Sequence, residues 1–496
     1  MIEDDEEINV QPNAETEEQT GLRNGFCKFV MAPICWIKML SDEMHWSFVY
    51  GVLVINGVSQ GLGGALGRLG KDYYLKDVQK VQPSEAQIYS GVIYIPWIVK
   101  PIWGILTDVV PILGFRRRPY LIFSGLLGVI SMLLLSLHEM LHLVLAIMAL
   151  LAGNISVAFA DATVDACIAE NSITHPFLAP DLQSLCELSL SSGELIGFLI
   201  SGILVHQIGP QGVFGLLTVP AVLVVSVGIF LDEPHKPDFA YHQVFQNFLD
   251  ACKALWTTLK CPDIWRPCLY MYLSLAVSVD IYDGMFYWLT DAAGGPSFSQ
   301  ETVGLISSIG SVGAILGALL YQNVLKNHPF RGLFFWSQLL FGLSGMMDLV
   351  LVLRINLKFG IPDYLFAVID RGVSNLVDKL KWLPLLVLSS RICPPGIEGT
   401  FFALLMSIQN FGVISSSWGG GLLLHAMGIT RTQFHNLWLA ILIRNILRVT
   451  PLCLLFLVPR GDPDTPAPAN DVLDSEEAAL VLDDDNVELV SLLAPN

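Results

Sequence analysis

Long apolar segments recur along the body of the chain and restrict what it can fold into. Each covers about 18–25 residues, enough to cross roughly 30 Å of hydrocarbon as a helix. The segments lie near 46–66, 88–108, 119–137, 141–165, 183–207, 210–231, 267–289, 302–322, 332–353, 373–392, 399–425 and 436–458. Because backbone in lipid must satisfy its own hydrogen bonds, this pattern predicts an all-α integral membrane protein with twelve transmembrane helices.

The polar interval at 232–265 divides the twelve segments into six and six. This division predicts two six-helix bundles, over 45–231 and 266–458, that move about a site near the bilayer midplane. The remaining parts are an acidic N-terminal tail with an entry segment at 1–44, a cytoplasmic central loop at 232–265, and an acidic C-terminal tail at 459–496. This layout resembles that of the major facilitator superfamily.

The net charge of −18 comes from the two ends of the chain. Residues 1–20 hold eight acidic residues and residues 461–496 hold ten, with no Lys or Arg in either range, so the chain between them is formally neutral. Such compositions are typical of disordered tails. The charge therefore predicts neither a cationic partner nor nucleic-acid binding. The nine cysteines form no CxxC pair or ligand-like cluster, so neither a metal nor a cofactor is expected.

The distribution of Lys and Arg between the loops predicts the orientation. With both termini in the cytosol, the inner loops and tails hold 14 Lys and Arg residues and the outer loops hold eight. The positive-inside rule therefore favours cytosolic termini. The sequence does not indicate whether the membrane is an endomembrane or the plasma membrane.

A short polar loop between the second and third segments carries a glycine, a carboxylate and an arginine cluster. It contains Gly104, Asp108, Arg116, Arg117 and Arg118. The glycine is expected to let two helices approach closely, and the arginines to hold the loop on the cytoplasmic side. The aspartate is expected to bind a helix N-terminus or an arginine. This arrangement resembles the loop between helices two and three of the major facilitator superfamily, although any short cytoplasmic loop can be basic.

The most informative residues are ionisable side chains inside apolar segments, where an uncompensated charge is costly. Lys100 lies between Pro96 and Pro101, whose kinks are expected to turn it toward a central cavity. Asp161 and Asp165 are four residues apart and share one helix face. Adjacent carboxylates resist ionising together, so one of the two is a candidate proton carrier. Alternatively, the aspartates neutralise Lys100 in a static ion pair.

The twelfth segment holds Arg444 and Arg448, also four residues apart. Arg444 is a candidate ligand for an anionic substrate. The alternative is that these arginines pair with Asp348 or cap a loop.

Several separate motifs resemble those of the folate–biopterin transporter family, and together they cover most of residues 45–458. They are Pro96-Trp97 with Lys100-Pro101, Gly104 and Asp108; Arg116-Arg117-Arg118-Pro119-Tyr120; Ala160-Asp161 to Asp165-Ala166; and Arg391 to Thr400, which includes Glu398. The resemblance implies a twelve-helix transporter of folates or pterins. It also implies structural or gating roles for the glycine, aspartate and arginines of the first loop, and for Arg391 and Glu398.

The chemistry of a folate suits residues of these motifs. Asp161 or Asp165 would accept hydrogen bonds from the pterin edge, and Trp97 would stack on the ring. Lys100 or Arg444 would bind the glutamate tail. The expected partners are therefore a folate or pterin, the lipid bilayer and a coupling proton.

Two alternative functions differ in class from folate transport. One is a transporter of the same fold for a sugar or another small organic acid. The other is a membrane-embedded enzyme, suggested by the paired aspartates. The sequence lacks Gly-x-Gly-Asp and P-loop patterns, and no enzyme is expected.

Overall fold

The computed structural model describes residues 35–138, 141–235, 259–291, 294–393 and 398–458, apart from the side chains at 108, 109, 173 and 398–400. The described chain is helical, and each predicted apolar segment coincides with a helix or with a pair of helices. The helices are α1 Trp46–Val78, α2 Pro83–Ile93 with Lys100–Val109, α3 Arg118–Leu137, α4 Leu143–Thr174, α5 179–208, α6 210–230, α7 Pro262–Ala276 with Tyr282–Thr290, α8 Gln300–Leu325, α9 Phe330–Val352, α10 Asp363–Arg391, α11 Glu398–Ala426 and α12 Leu437–Leu457.

Eight stretches of the described chain are helices long and apolar enough to cross a membrane by length and composition. One of them, Pro176–Phe230, contains both α5 and α6. The two helices separate at Gly209, whose φ of 71° and ψ of 169° are not helical. Glycine adopts this conformation without a Cβ penalty, and the following Pro210 suits the first turn of a new helix.

The predicted break in α2 is confirmed. A short 3-10 turn at Ile95–Trp97 separates its two helical parts. Pro96 and Pro101 lack the N–H groups that would continue the hydrogen-bond ladder. The second part begins at Lys100.

Other helix ends lie beyond the predicted segments. The fourth helix continues to Thr174 and the tenth begins at Asp363, because their polar terminal turns stay helical while falling outside an apolar window. The seventh helix begins at Pro262, so it enters the interval predicted as the central loop. Residues 236–258 of that interval, residues 1–34 and the C-terminal tail lie outside the described residues.

Small residues allow close helix crossings within each bundle. A Cβ built on Gly193 of α5 would lie 2.0 Å from the carbonyl oxygen of Gly57 on α1. A Cβ on Gly313 of α8 would lie 2.1 Å from the carbonyl oxygen of Gly372 on α10. Any larger residue would push these backbones apart.

The two ends of the molecule differ in how the bundles meet. The terminal face carries residues 35–45 and Val458, and the opposite face carries the loops that follow α1, α7, α9 and α11. The largest apolar cluster, the opposite-face cluster, takes residues from both bundles and includes Tyr73 and Phe286, whose ring centroids are 5.0 Å apart. Two further clusters lie nearer the terminal face, and each is confined to one bundle. The described residues therefore close the opposite face.

Candidate transport site

The structure brings Lys100, Asp161 and Asp165 together in the N-terminal bundle. The Lys100 Nζ lies 2.5 Å from Asp161 Oδ2 and 2.6 Å from Asp165 Oδ2. Gln60 of α1 donates from Nε2 to Asp161 Oδ1 at 2.5 Å and to Asn56 Oδ1 at 3.1 Å. The break in α2 and the i, i+4 spacing on α4 thus place one cation between two carboxylates. We call these three ionisable residues the central cluster.

The members of the central cluster differ in exposure. The Asp161 side chain is 8% exposed, while that of Asp165 is 50% exposed. One ammonium group neutralises one of two carboxylates, so the second negative charge needs a proton, water or a bound cationic or hydrogen-donating group. Asp165 is the member that such a group can reach.

An aromatic pair lies beside the central cluster. The Trp97 ring stacks on Tyr94 with centroids 5.8 Å apart and an interplanar angle of 19°. The Lys100 Nζ lies 5.8 Å from the Trp97 ring centroid. The arrangement places an aromatic surface next to hydrogen-bond acceptors, which is what a planar heterocycle with an N–H edge needs.

The structure does not bring Arg444 to the central cluster. It lies in the C-terminal bundle, where its Nη2 is 2.7 Å from Asp348 Oδ2 and 3.1 Å from the Gly345 carbonyl oxygen. The residue is 3% exposed. The alternative drawn from the sequence, an ion pair with Asp348, therefore describes this arginine, and its guanidinium is already neutralised.

The arginines of the first loop bind the N-terminal bundle itself. Arg117 donates to Thr107 Oγ1 at 2.7 Å, and Arg118 donates to the carbonyl oxygen of Ile229 at 2.7 Å, at the end of α6. Glu233 accepts hydrogen bonds from the backbone N–H groups of Arg116, Arg117 and Arg118 at 2.5 to 3.1 Å. A carboxylate at the N-terminus of α3 is stabilised by the helix dipole. The loop is thereby fixed to the end of α6.

The other predicted gating residues have different surroundings. A Cβ on Gly104 would have no atom within 4 Å, so the expected close helix approach at this glycine is wrong for this conformation. The Arg391 guanidinium lies 5.5 Å from the Phe330 ring centroid. The side chains of Asp108 and Glu398 lie outside the described part of the chain.

A hydrogen-bonded network joins the two bundles at the opposite face. Tyr282 donates to Asp72 Oδ2 at 3.0 Å, and Lys71 contacts Asp72 at 3.2 Å. Ser90 accepts from Lys71 at 2.9 Å and donates to Asp283 Oδ2 at 3.2 Å. We call these five residues the opposite-face network. They hold α1 and α2 against the second part of α7.

Sequence reasoning missed Gln60, Glu233 and the opposite-face partners Asp72 and Ser90. A signal existed for Gln60, since it is an amide inside the first apolar segment. Glu233 follows the sixth segment directly and offered a carboxylate near the basic loop. No sequence signal links Tyr282 with Asp72, because they are 210 residues apart.

Comparison with known proteins agrees with this architecture. The model of the BT1 family matches residues 60–479. "Probable folate-biopterin transporter 2" of Arabidopsis thaliana is 61% identical over 442 residues, covering 89% of this chain and 89% of that relative. The "Folate-biopterin transporter" of Synechocystis sp. is 33% identical over 432 residues, covering 86% and 84%. The crystal structure of a D-xylose-proton symporter shares the fold, with a TM-score of 0.60 and 16% identity, covering 84% of this chain and 98% of that one.

These findings confirm the family resemblance, the major facilitator-like fold and the prediction that the chain is a transporter and not an enzyme. The matched residues include α2, α4, α7 and the part of α1 from residue 60 onward, which carry the central cluster and both sides of the opposite-face network. The chain belongs to the BT1 family, whose named relatives are folate–biopterin transporters.

Proposed function

We propose that this protein is a secondary active transporter of folates or pterins, that it works by alternating access, and that a proton drives the cycle. The observation that carries this proposal is the central cluster, in which one cation lies between two carboxylates, one of them half-exposed. The names of the relatives supply the substrate class. The fold supplies the transport mode.

The proposed binding step uses the unequal exposure of the two aspartates. Asp165 accepts hydrogen bonds from the amino and ring N–H groups of a pterin, while Trp97 offers its indole face to the ring. Asp161 is held by Lys100 and Gln60 and orients the ammonium group. In this scheme Lys100 positions the carboxylates, and it does not bind the glutamate tail.

The proposed coupling step uses the second negative charge of the central cluster. A proton on Asp165 leaves the cluster neutral, and its loss restores an acceptor for the pterin edge. Substrate binding and protonation would then depend on each other at one carboxylate. Asp161 and Asp165 are both candidates for the proton, and Asp165 is the more accessible of the two.

The closed opposite face supports alternating access. The opposite-face network and the opposite-face cluster join the bundles at one end, while the terminal-face clusters are separate. With the termini in the cytosol, this arrangement corresponds to a state that opens toward the cytosol. Rocking of the two bundles would open the opposite face and close the terminal face.

Uptake into proteoliposomes with an imposed proton gradient tests the proposal. Labelled folate and biopterin should accumulate, D-xylose should not, and dissipating the gradient should stop accumulation. Asp165→Asn should abolish accumulation while retaining exchange of substrate across the membrane. Uptake of D-xylose in place of folate, or full accumulation by Asp165→Asn and Asp161→Asn at normal expression, would contradict the substrate and the coupling respectively.

A further inference from the structure

Lys381 and Arg448 are cationic side chains of the C-terminal bundle that have no carboxylate partner among the described residues. Lys381 on α10 is 4% exposed, and among the described residues no hydrogen-bond acceptor or carboxylate lies within bonding distance of its Nζ. The Nε of Arg448 on α12 is buried and has no hydrogen-bond partner within the described ranges. A buried charge without a partner is costly unless a ligand neutralises it.

Both cations face one aromatic ring. The Lys381 Nζ lies 4.2 Å from the centroid of Phe341, and the Arg448 Cζ lies 4.1 Å from the same centroid. The two charges are therefore no more than about 8 Å apart. A cation–π contact recovers only part of the lost hydration of an ammonium or guanidinium group.

The nearby carboxylates do not neutralise this pair. Asp348 is engaged by Arg444 at 2.7 Å. Asp378 precedes Lys381 by one helical turn and acts on both cations electrostatically, but it is exposed and beyond ion-pair distance of either. By contrast, Lys100 and Arg444 each have a carboxylate within 2.7 Å.

A hydrogen bond to the backbone carbonyl of Arg448 helps to fix the position of this residue. Gln338 on α9 donates from Nε2 to the Arg448 carbonyl oxygen at 2.5 Å and to Ser278 Oγ at 3.2 Å. Phe341 lies three residues after Gln338, on the same face of α9. The backbone of Arg448 is thus tied to α9, and through Gln338 to the segment between the two parts of α7, which preorganises one side of a binding site.

We propose that Lys381 and Arg448 form an anion site that binds the carboxylates of the cargo, namely the glutamate tail of a folate. The inference rests on the proposed function, and it assigns the two ends of the substrate to different bundles. The pterin contacts the central cluster, and the tail contacts the two unpaired cations. Arginine suits bidentate carboxylate binding and lysine supplies a point charge. A pterin without a tail uses the central cluster alone.

Ligand-dependent thermal stability of the purified protein tests the site. The probes are folate, pteroate, which lacks only the glutamate, and biopterin. In Lys381→Gln and in Arg448→Gln, affinity for folate should fall by about 10-fold or more, since one charge-assisted contact is lost. Affinity for pteroate and biopterin should stay at the wild-type value. Lys358→Gln removes an exposed cation from the same bundle and serves as the matched control.

The ligand-free variants give a second readout. Lys381→Gln removes an unpaired buried charge, so its unfolding midpoint should equal or exceed that of the wild type. A lower unfolding midpoint for Lys381→Gln than for the wild type would overturn the proposed anion site. An equal loss of affinity for folate, pteroate and biopterin in the variants would also overturn it. Failure of the wild type to bind any of the three ligands would instead disprove the folate assignment. N-acetyl-L-glutamate then probes the anion site alone, and equal stabilisation of the wild type and Lys381→Gln by it would overturn the inference.

Discussion

The side-chain amide of Asn410 donates a hydrogen bond to the backbone carbonyl of Trp97 at 3.0 Å, across the two bundles. In an unbroken helix this carbonyl would accept from the N–H of residue 101, which is a proline and has none. The break in α2 therefore creates an acceptor, and α11 supplies the donor. The bond connects Trp97, whose ring lies beside the central cluster, to the C-terminal bundle.

Loss of this bond should destabilise the protein. Asn410→Leu leaves a carbonyl without its donor, which should cost about 1–3 kcal/mol of unfolding free energy. Thermal or denaturant unfolding of the purified protein measures the change. Asn323→Leu is the control, because Asn323 is exposed and bonds only within its own helix at 2.9 Å. Equal unfolding midpoints for both variants would contradict the role of Asn410.

The ion pairs of the central cluster make a second prediction. Lys100→Met leaves Asp161 and Asp165 without their shared cation and should lower the unfolding free energy by about 3–5 kcal/mol. Adding Asp161→Asn should recover part of the loss, since it removes a buried charge. Unfolding curves of the single and double variants test this coupling. Additive losses, or a Lys100→Met protein as stable as the wild type, would show that the pairs contribute nothing.

The crossing of α1 and α5 makes a third prediction. Gly193→Ala places a methyl group 2.0 Å from the Gly57 carbonyl oxygen, so the helices must separate. Overpacking of this kind should cost about 1–3 kcal/mol and lower transport activity. Gly64→Ala is the matched control on α1, because nothing lies within 4 Å of its Cβ position. The idea fails if both variants unfold at the same temperature.

The opposite-face network makes a fourth prediction. Tyr282→Phe removes the hydrogen bond to Asp72 at 3.0 Å and keeps the ring between Arg68 and Arg371. The closed state should lose roughly 10-fold in population relative to the open one. A cysteine introduced at Leu69, in the opposite-face cluster, should then react faster with an impermeant maleimide. The control is the same cysteine at position 69 combined with Tyr364→Phe, a substitution at an exposed tyrosine. Equal labelling rates with Tyr282→Phe and with Tyr364→Phe would count against a role of Tyr282 in closure.

The orientation makes a fifth prediction. Tags inserted at Asn13, Lys236 and Asp471 should all be accessible to protease from the cytosol, because an even number of spans in each bundle returns the chain to the same side. As a control, the outer loops in the same vesicles should remain uncleaved by the protease, which shows that the membrane is sealed. Protection of one tag while the others are cleaved would mean an odd number of spans in one half.

The fold and the central cluster were predictable because their signals are local. Apolar length predicts the spans, the prolines predict the break before Lys100, and the spacing of Asp161 and Asp165 predicts a shared face. Which cations are neutralised was not predictable. Arg444 and Asp348 are 96 residues apart, and no local pattern distinguishes Arg444 from Arg448 four residues later.

The partners of the supporting residues around the site were not predictable either, even where a single residue offered a signal. The carboxylate of Glu233 satisfies three backbone N–H groups more than 110 residues away, and that contact exists only once α6 returns beside α3. Gly104 is the opposite case, in which the sequence predicts a contact that this structure does not contain. Its local context predicts a tight crossing, but whether a neighbour is present depends on the conformation of the transporter.

The opposite-face cluster gives the transport cycle a heat-capacity signature. Opening that face wets apolar side chains such as Tyr73 and Phe286, which are buried against each other across the bundles. Hydration of apolar surface carries a positive heat capacity, and its free-energy cost shrinks as the temperature falls. Cooling therefore weakens the apolar contribution that keeps this face closed, and Arrhenius plots of transport should curve where its opening limits the rate.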